Sequence, residues 1–237
     1  STWFSTGGGF DYSWSPDGKW FTLEFIGNRH DPYSDIGMVS AQGGKIINLT
    51  NSGYTSGFPR WVLDGNAILF ITERYGMRAH ASWGSLNDVM LVFMNQDAYD
   101  KFRLSKEDYE LQKELEKEQK NTTEAKKNDK KKGDNKEKSE EKKEEKVKDI
   151  VVELNNIEDR IVRLTPNSSD LGSAIITKDG ETLYYLSAFE GGYDLWKMNL
   201  RKKDTKLLHK MDAGWANMEM DKDGKNLFLL GSNTMQK

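Results

Sequence analysis

The chain has 237 residues, a formal net charge of −3, 31% charged residues and no cysteine. The absence of thiols excludes disulfides, thiol catalysis and cysteine-based metal sites. The slightly acidic balance argues against nucleic acid as the main partner, and no apolar run is long enough to cross a bilayer as a helix, so membrane insertion is not expected.

Gly7-Gly8-Gly9 reads as a connector, after which the chain enters a repeated pattern. Asp17-Gly18, Asp64-Gly65, Asp179-Gly180 and Asp223-Gly224 each sit between two apolar stretches. Three residues before each Asp stand Trp14, Trp61, Ile176 and Met220. Four residues after come Phe21, Ile68, Leu183 and Leu227, and six after come Leu23, Phe70, Tyr185 and Leu229. Asp-Gly between alternating apolar residues signals a hairpin. In Ser15-Pro16-Asp17-Gly18, proline presets φ for the first corner and glycine takes the left-handed conformation. Phe21, Leu23 and Phe25 alternate with Thr22 and Glu24, which predicts one face against a core.

A second hairpin is expected after each of these. Asp35–Val39 leads through Gln42-Gly43-Gly44 to Lys45–Thr50, and Tyr193–Met198 leads through Lys202-Lys203-Asp204 to Thr205–Leu208. Between them, Ile150–Leu154 leads through Asn155-Asn156 to Arg160–Thr165, and Leu-Thr closes two of these three copies. The aspartates are spaced by 47, 115 and 44 residues. A unit of about 40–50 residues made of short strands predicts a four-stranded β-propeller blade. The fold class is therefore all-β, a partial propeller of about three and a half blades. Blades occupy 1–94 and 149–237, separated by a charged insertion over 95–148. Because propellers typically close with four to eight blades, the chain is expected to be a segment of a longer polypeptide.

The insertion follows Val89–Met94, which reads as a strand. Ser105-Lys106-Glu107-Asp108 has the form of a helix start, and Leu104, Leu111 and Leu115 recur at helical spacing. A helix of about 15 residues near 105–120 is predicted. Of the 44 residues from Ser105 to Lys148, 29 are charged with nearly balanced signs. Such a stretch buries too little apolar surface to offset the cost of ordering, so a mobile surface excursion is expected beyond the helix. Interleaved glutamates cancel the field that phosphate binding requires, and there are no interspersed aromatics for base stacking.

No catalytic signature is present: no Gly-x-Ser-x-Gly, no His-Glu-x-x-His, no Walker loop and no Gly-x-Gly-x-x-Gly. Asp221-Lys222-Asp223-Gly224 opens like a calcium loop but lacks the remaining ligands and aligns with three other turns. Catalytic, cofactor and metal residues are therefore expected to be absent from this segment. The candidate binding residues fall in loops joining the two hairpins of a blade. Arg29, His30 and Tyr33 lie in the first such loop, and Arg74, Tyr75, Arg78 and His80 in the second. Binding residues concentrate on loops held by a rigid scaffold, and guanidinium groups beside phenols suit a carboxylate or a peptide chain.

Trp14-Ser15-Pro16-Asp17-Gly18-Lys19 resembles the signature of TolB-type propeller repeats. Ser82–Val89, followed by Asp97–Phe102 and Ile157–Val162, resembles the propeller part of bacterial tricorn-like proteases, which carry a lysine- and glutamate-rich insertion at this place. The resemblance covers essentially the whole chain. It implies a multidomain serine peptidase whose catalytic residues lie in another domain, with the propeller admitting or steering peptide substrates. None of the family's catalytic residues maps onto this chain. The implied partners are peptide or protein substrates, the remaining domains of the same polypeptide and, as a further option, a second copy of the chain. A cell-envelope location is implied, with the cytoplasm as the alternative. Two other readings stand beside this one: a TolB-like interaction scaffold without protease activity, and the propeller of a prolyl-oligopeptidase-type enzyme.

Overall fold

The computed structural model describes residues 11–27, 33–78, 84–129, 148–231 and 234–236. The chain forms four antiparallel sheets in sequence order. The first holds β1 (Tyr12–Trp14), β2 (Trp20–Phe25), β3 (Asp35–Ser40) and β4 (Ile47–Asn48). The second holds β5 (Ser56–Val62), β6 (Ala67–Thr72), β7 (Asp88–Phe93) and β8 (Ile161–Arg163). Between β7 and β8 run two helices, α1 (Gln96–Arg103) and α2 (Lys106–Asp129). The third sheet holds β9 (Asp170–Ile176), β10 (Thr182–Ala188), β11 (Tyr193–Asn199) and β12 (Asp204–Ala213). The fourth has three described strands, β13 (Ala216–Met220), β14 (Leu227–Gly231) and β15 (Thr234–Gln236). Each sheet is a meander, which is the expected blade.

The Asp-Gly corners have a common chemistry. Gly18, Gly180 and Gly224 adopt φ of 69°, 71° and 70°, a region that costs a residue with a side chain about 1–2 kcal/mol. At the first and third corners a hydroxyl two residues before the Asp closes the turn, and at the fourth the Asp221 carboxylate stands there, accepting from the Lys225 amide at 2.7 Å. Ser15 Oγ donates to Asp17 at 2.6 Å and accepts from the Trp20 amide at 2.9 Å. Thr177 repeats both bonds, to Asp179 and from the Thr182 amide. Burial opposes ionisation of Asp179, but the Thr177 hydroxyl, the Glu181 amide and Lys113 outweigh it and hold its pKa below the ordinary value. The second corner departs from this pattern. Val62 stands where the hydroxyl should be, and Leu63, Asp64 and Gly65 all take positive φ. There the Asn66 side chain bonds the Leu63 carbonyl instead, at 2.8 Å.

The sheets stack face to face in chain order. Strand β6 divides its residues between two cores: Ile68 and Phe70 pack with Ile36, Met38 and Leu49 of the first sheet. Ala67 and Leu69 pack with Leu183, Tyr185 and Met198 of the third. Strand β7 does the same with Met90 and Val92 against Val89, Leu91 and Phe93. Leu186 and Leu195 then meet Met218 and Leu229 of the fourth sheet. The alternating face expected against a core is found there, and in an interior blade the opposite face is covered as well. Even the polar residues of β2 face a seam rather than water. Thr22 is fully buried, its hydroxyl donating to the Gly37 carbonyl at 2.8 Å. Glu24 lies so close beneath β5 that a Cβ on Gly57 would stand 2.6 Å from its carboxylate.

Ile150–Leu154 is not a strand, contrary to the pattern reading. Strand β8 pairs directly with β7, so the insertion splits the second hairpin of its blade. The returning segment bridges sheets instead. The Ile150 amide donates to Asp17 at 3.0 Å and the Glu153 amide to the Met94 carbonyl at 2.8 Å.

The root of the insertion is seated on the corner end of the second and third sheets. Asn95 caps α1 by accepting from the Ala98 amide at 2.8 Å. Tyr99 and Phe102 of α1 pack on Phe93, with ring centroids 5.8 and 5.0 Å away. Ser105 caps α2, accepting from the Asp108 amide at 3.1 Å. The docking residue of α2 is Tyr109, 6% exposed, rather than the leucines, since Leu111 and Leu115 are 56% and 50% exposed. The Arg201 guanidinium lies 3.4 Å from the Tyr109 ring centroid, and Lys113 reaches Glu181 at 2.7 Å.

Candidate binding face

In this meander, the loops between second and third strands and those between successive blades emerge at one end of the sheets. The Asp-Gly corners and the insertion emerge at the other. The loop end is braced by a device repeated in three blades. Asp35 at the start of β3 accepts from Thr50 Oγ1 at 2.8 Å, the Ser52 amide at 3.0 Å and Asn48 Nδ2 at 2.9 Å. Asp88 at the start of β7 accepts from Thr165 Oγ1 and Ser168 Oγ, both at 2.7 Å. Asp194 in β11 accepts from the amides of Met211 and Asp212 at 2.7 and 2.9 Å. The same threonines accept the amides of Ile36 and Val89. The recurrent Leu-Thr is therefore a tie between fourth and third strands.

Arg163 occupies the position that Asn48 holds in the first blade. Its Nε donates to Asp88 at 2.9 Å, and its longer side chain places the guanidinium 4.9 Å from the Tyr75 ring centroid. Arg74 lies over the same ring at 5.6 Å. Beside them, Arg78 lies 5.6 Å from the Tyr33 ring and 5.8 Å from the Tyr54 ring. Its Nη1 donates to the Tyr33 hydroxyl at 3.3 Å. That bond, first among the causes, favours the charged form of Arg78. All these separations fall within cation–π range.

The backbone beneath Arg78 is fixed. Arg78 bridges Ser85, and the Leu86 amide donates to the Met77 carbonyl at 3.1 Å. The turn can close this tightly only because residue 76 is glycine, as a Cβ there would collide with the Leu86 carbonyl. Asn87 then exchanges both backbone bonds with Ser169 of the next connector, at 2.7 and 3.1 Å. Of the sequence candidates, Arg74 meets Tyr75 and Arg78 meets Tyr33 at this end, while Arg29, His30 and His80 lie outside the described residues. Tyr54 and Arg163 were not foreseen. The Leu-Thr repeat was the available signal for Arg163, since it aligns that residue with Asn48.

The corner end is different in kind. A cleft of about 660 Å³ lies between the helices and the returning segment, with Asp100, Lys101 and Glu153 among its lining. These charges already have partners: Asp100 and Glu153 accept from Gln96, and Lys101 pairs with Glu116 at 2.7 Å. Among the described residues no cluster of three or more metal-ligating side chains occurs.

No protein-family model matches the chain. Over 59 residues it is 39% identical to an uncharacterized peptidase, YuxL, of Bacillus subtilis (strain 168), a match covering 25% of this chain and 9% of that protein. Among solved structures, 93% of the chain aligns with 20% of a tricorn protease chain at 10% identity and a TM-score of 0.56. A putative TolB from Agrobacterium tumefaciens aligns over 95% of this chain and 63% of its own, at 12% identity and a TM-score of 0.50. The chain thus spans only a part of each of these proteins. Likeness at this level of identity shows the fold, and the fold is that of a β-propeller segment of the kind found in tricorn protease and TolB.

Proposed function

We propose that this chain is a noncatalytic propeller module of a peptidase-type polypeptide, whose loop end contacts peptide or protein substrates and steers them toward a catalytic domain elsewhere. The observation that carries the reading is a pair of exposed arginine–tyrosine groups on a braced sheet end, Arg74 on Tyr75 and Arg78 between Tyr33 and Tyr54. Arginine and tyrosine are enriched at recognition hot spots, tyrosine because it offers a large contact with only two torsions to freeze and arginine because its planar fork makes several hydrogen bonds at once. The shared fold with tricorn protease and the partial match to a protein named a peptidase support the peptidase context. The purified chain is expected to bind unstructured peptides saturably in fluorescence anisotropy and to leave them intact by mass spectrometry. Cleavage abolished by substituting a residue of this chain would overturn the reading.

The likeness to TolB favours a second reading, an interaction scaffold with no peptidase attached. The two differ in the preferred ligand. A scaffold should capture a folded partner and ignore short unstructured peptides.

A further inference from the structure

Resting on the peptide-binding reading above, we infer that the loop end selects carboxylate-bearing peptides, recognised through Arg74 and Arg78. Three guanidinium groups meet at this face, and they are not equivalent. Arg163 is committed, with Nη2 2.8 Å from the buried Asp88 and bonded also to Ser168. Arg74 and Arg78 are exposed, and neither forms an ion pair with a carboxylate among the described residues.

Both are nonetheless held in place by tyrosine rings. A guanidinium stacked on a ring presents its edge N–H groups outward, and these match a carboxylate in a two-bond fork. Arg78 gives one nitrogen to the Tyr33 hydroxyl, and among the described residues no other hydrogen bond from its guanidinium occurs. Its backbone is pinned by the Met77–Leu86 pairing described above, so little freedom is lost when a ligand binds. Its charge is held by the rings yet has no carboxylate counterion among the described residues, which leaves it to a ligand.

Among the described residues the carboxylate that acts on Arg78 is Glu73, whose charge favours the protonated form. It makes no ion pair with Arg78, and a ligand carboxylate would be repelled by it. Glu73 therefore works against the proposed ligand, which supplies a test of opposite sign.

The experiment titrates the full 237-residue chain into labelled extended peptides by fluorescence anisotropy. One peptide carries Asp and Glu, a second the isosteric Asn and Gln, and each is made with a free or an amidated C-terminus. The acidic peptide should bind about tenfold tighter than its isostere, the scale of one charge-assisted hydrogen bond, and added salt should weaken it. Arg74→Gln and Arg78→Gln should each lower that affinity about tenfold, Glu73→Gln should raise it, and Lys222→Gln at the other end should leave it unchanged. Loss on amidation assigns the ligand group to the peptide terminus, and loss only in the isostere assigns it to side chains. Circular dichroism of each variant separates unfolding from lost recognition, and the gain expected for Glu73→Gln cannot arise from unfolding. Equal binding of acidic and isosteric peptides, untouched by Arg74→Gln and Arg78→Gln, overturns the charge selectivity and leaves the peptide-binding reading standing. No binding by any peptide overturns both.

Discussion

Removing the Asp88 carboxylate should destabilise the fold more than any other single change at the loop end. Asp88 is fully buried, and it accepts hydrogen bonds from Thr165, Ser168 and Arg163 at 2.7, 2.7 and 2.9 Å. In Asp88→Ala, three donors lose their acceptor and the Arg163 charge loses its counterion. Breaking a fully buried pair costs about 3–5 kcal/mol. The Arg163 side chain is 33% exposed, so water recovers part of its solvation and the lower end of that range, about 3 kcal/mol, applies. Asp88→Asn keeps the shape and one acceptor, and Ser168 can reverse its hydroxyl, so about 1–2 kcal/mol is expected. The comparison is Asp35→Ala, which removes acceptors from Asn48, Thr50 and the Ser52 amide but strands no charge, for about 2 kcal/mol. Urea unfolding followed by tryptophan fluorescence measures all three. The order Asp88→Ala, Asp35→Ala, Asp88→Asn is the claim. A loss below about 1 kcal/mol for Asp88→Ala would show that the aspartate is ornamental and that β7 is held by its apolar faces alone.

Gly180→Ala should cost more than Gly18→Ala, since both need a left-handed backbone but only at Gly180 does the new Cβ meet Leu63, at 3.3 Å. Denaturant midpoints should separate the two by about 0.5–1 kcal/mol. Tyr109→Ala should release the root of α2 from Arg201 and the third sheet while leaving the sheets intact. Trypsin should then cut at Lys113 and Lys117 several-fold faster with no loss of β signal, and unchanged cleavage would contradict the docking role. Glu24→Gln tests the seam of the first two sheets. Burial, aided by Asp11 and outweighing the Ser34 hydroxyl and Phe58 amide, raises the Glu24 pKa above its ordinary value of 4.5. A raised carboxylate pKa means the folded state holds the proton better than the unfolded one, and the charged form is penalised once pH rises through the folded value. The glutamine variant should therefore be the more stable protein at pH 7, with the difference vanishing below about pH 4, as read from thermal midpoints across pH.

Which features were legible in the sequence follows from how local their causes are. The corners were readable because a positive φ at Gly18, a hydroxyl at Ser15 and a carboxylate at Asp17 act within four residues. The period of two in β2 was readable, but its meaning was not. Thr22 and Glu24 look solvent-facing in isolation, and only the arrival of β5 turns their side into a seam. Ile150–Leu154 carries the composition of a strand, yet β7 already had its partner in β8, so no edge remained for it. The leucines of α2 followed helical spacing, but the seat on the third sheet is polar, made by Glu181, Asp179 and Arg201, and it selects Tyr109 and Lys113 instead. At the binding face, Tyr33, Arg74, Tyr75 and Arg78 belong to loops recognisable from the repeat. Tyr54 comes from the connector between the first two sheets, whose proximity to Arg78 no local pattern encodes, whereas Arg163 at the end of β8 was reachable through the Leu-Thr repeat.

The placement of the insertion explains how this blade tolerates 29 charges in 44 residues. Strand β7 carries Asp88 at its loop end and Phe93 at its corner end, five steps of roughly 3.4 Å apart, or about 17 Å. Phe93 receives the α1 rings, while Asp88 fixes Arg163 beneath Tyr75. That separation is about twice the screening length at physiological ionic strength, and the lysines and glutamates of the insertion nearly cancel. Among the described residues, the carboxylate that acts on Arg78 is Glu73, while the Asp88 charge is met by Arg163. One strand thus anchors two separate features, the root of α1 at Phe93 and the Asp88–Arg163 tie beside Tyr75 at the loop end.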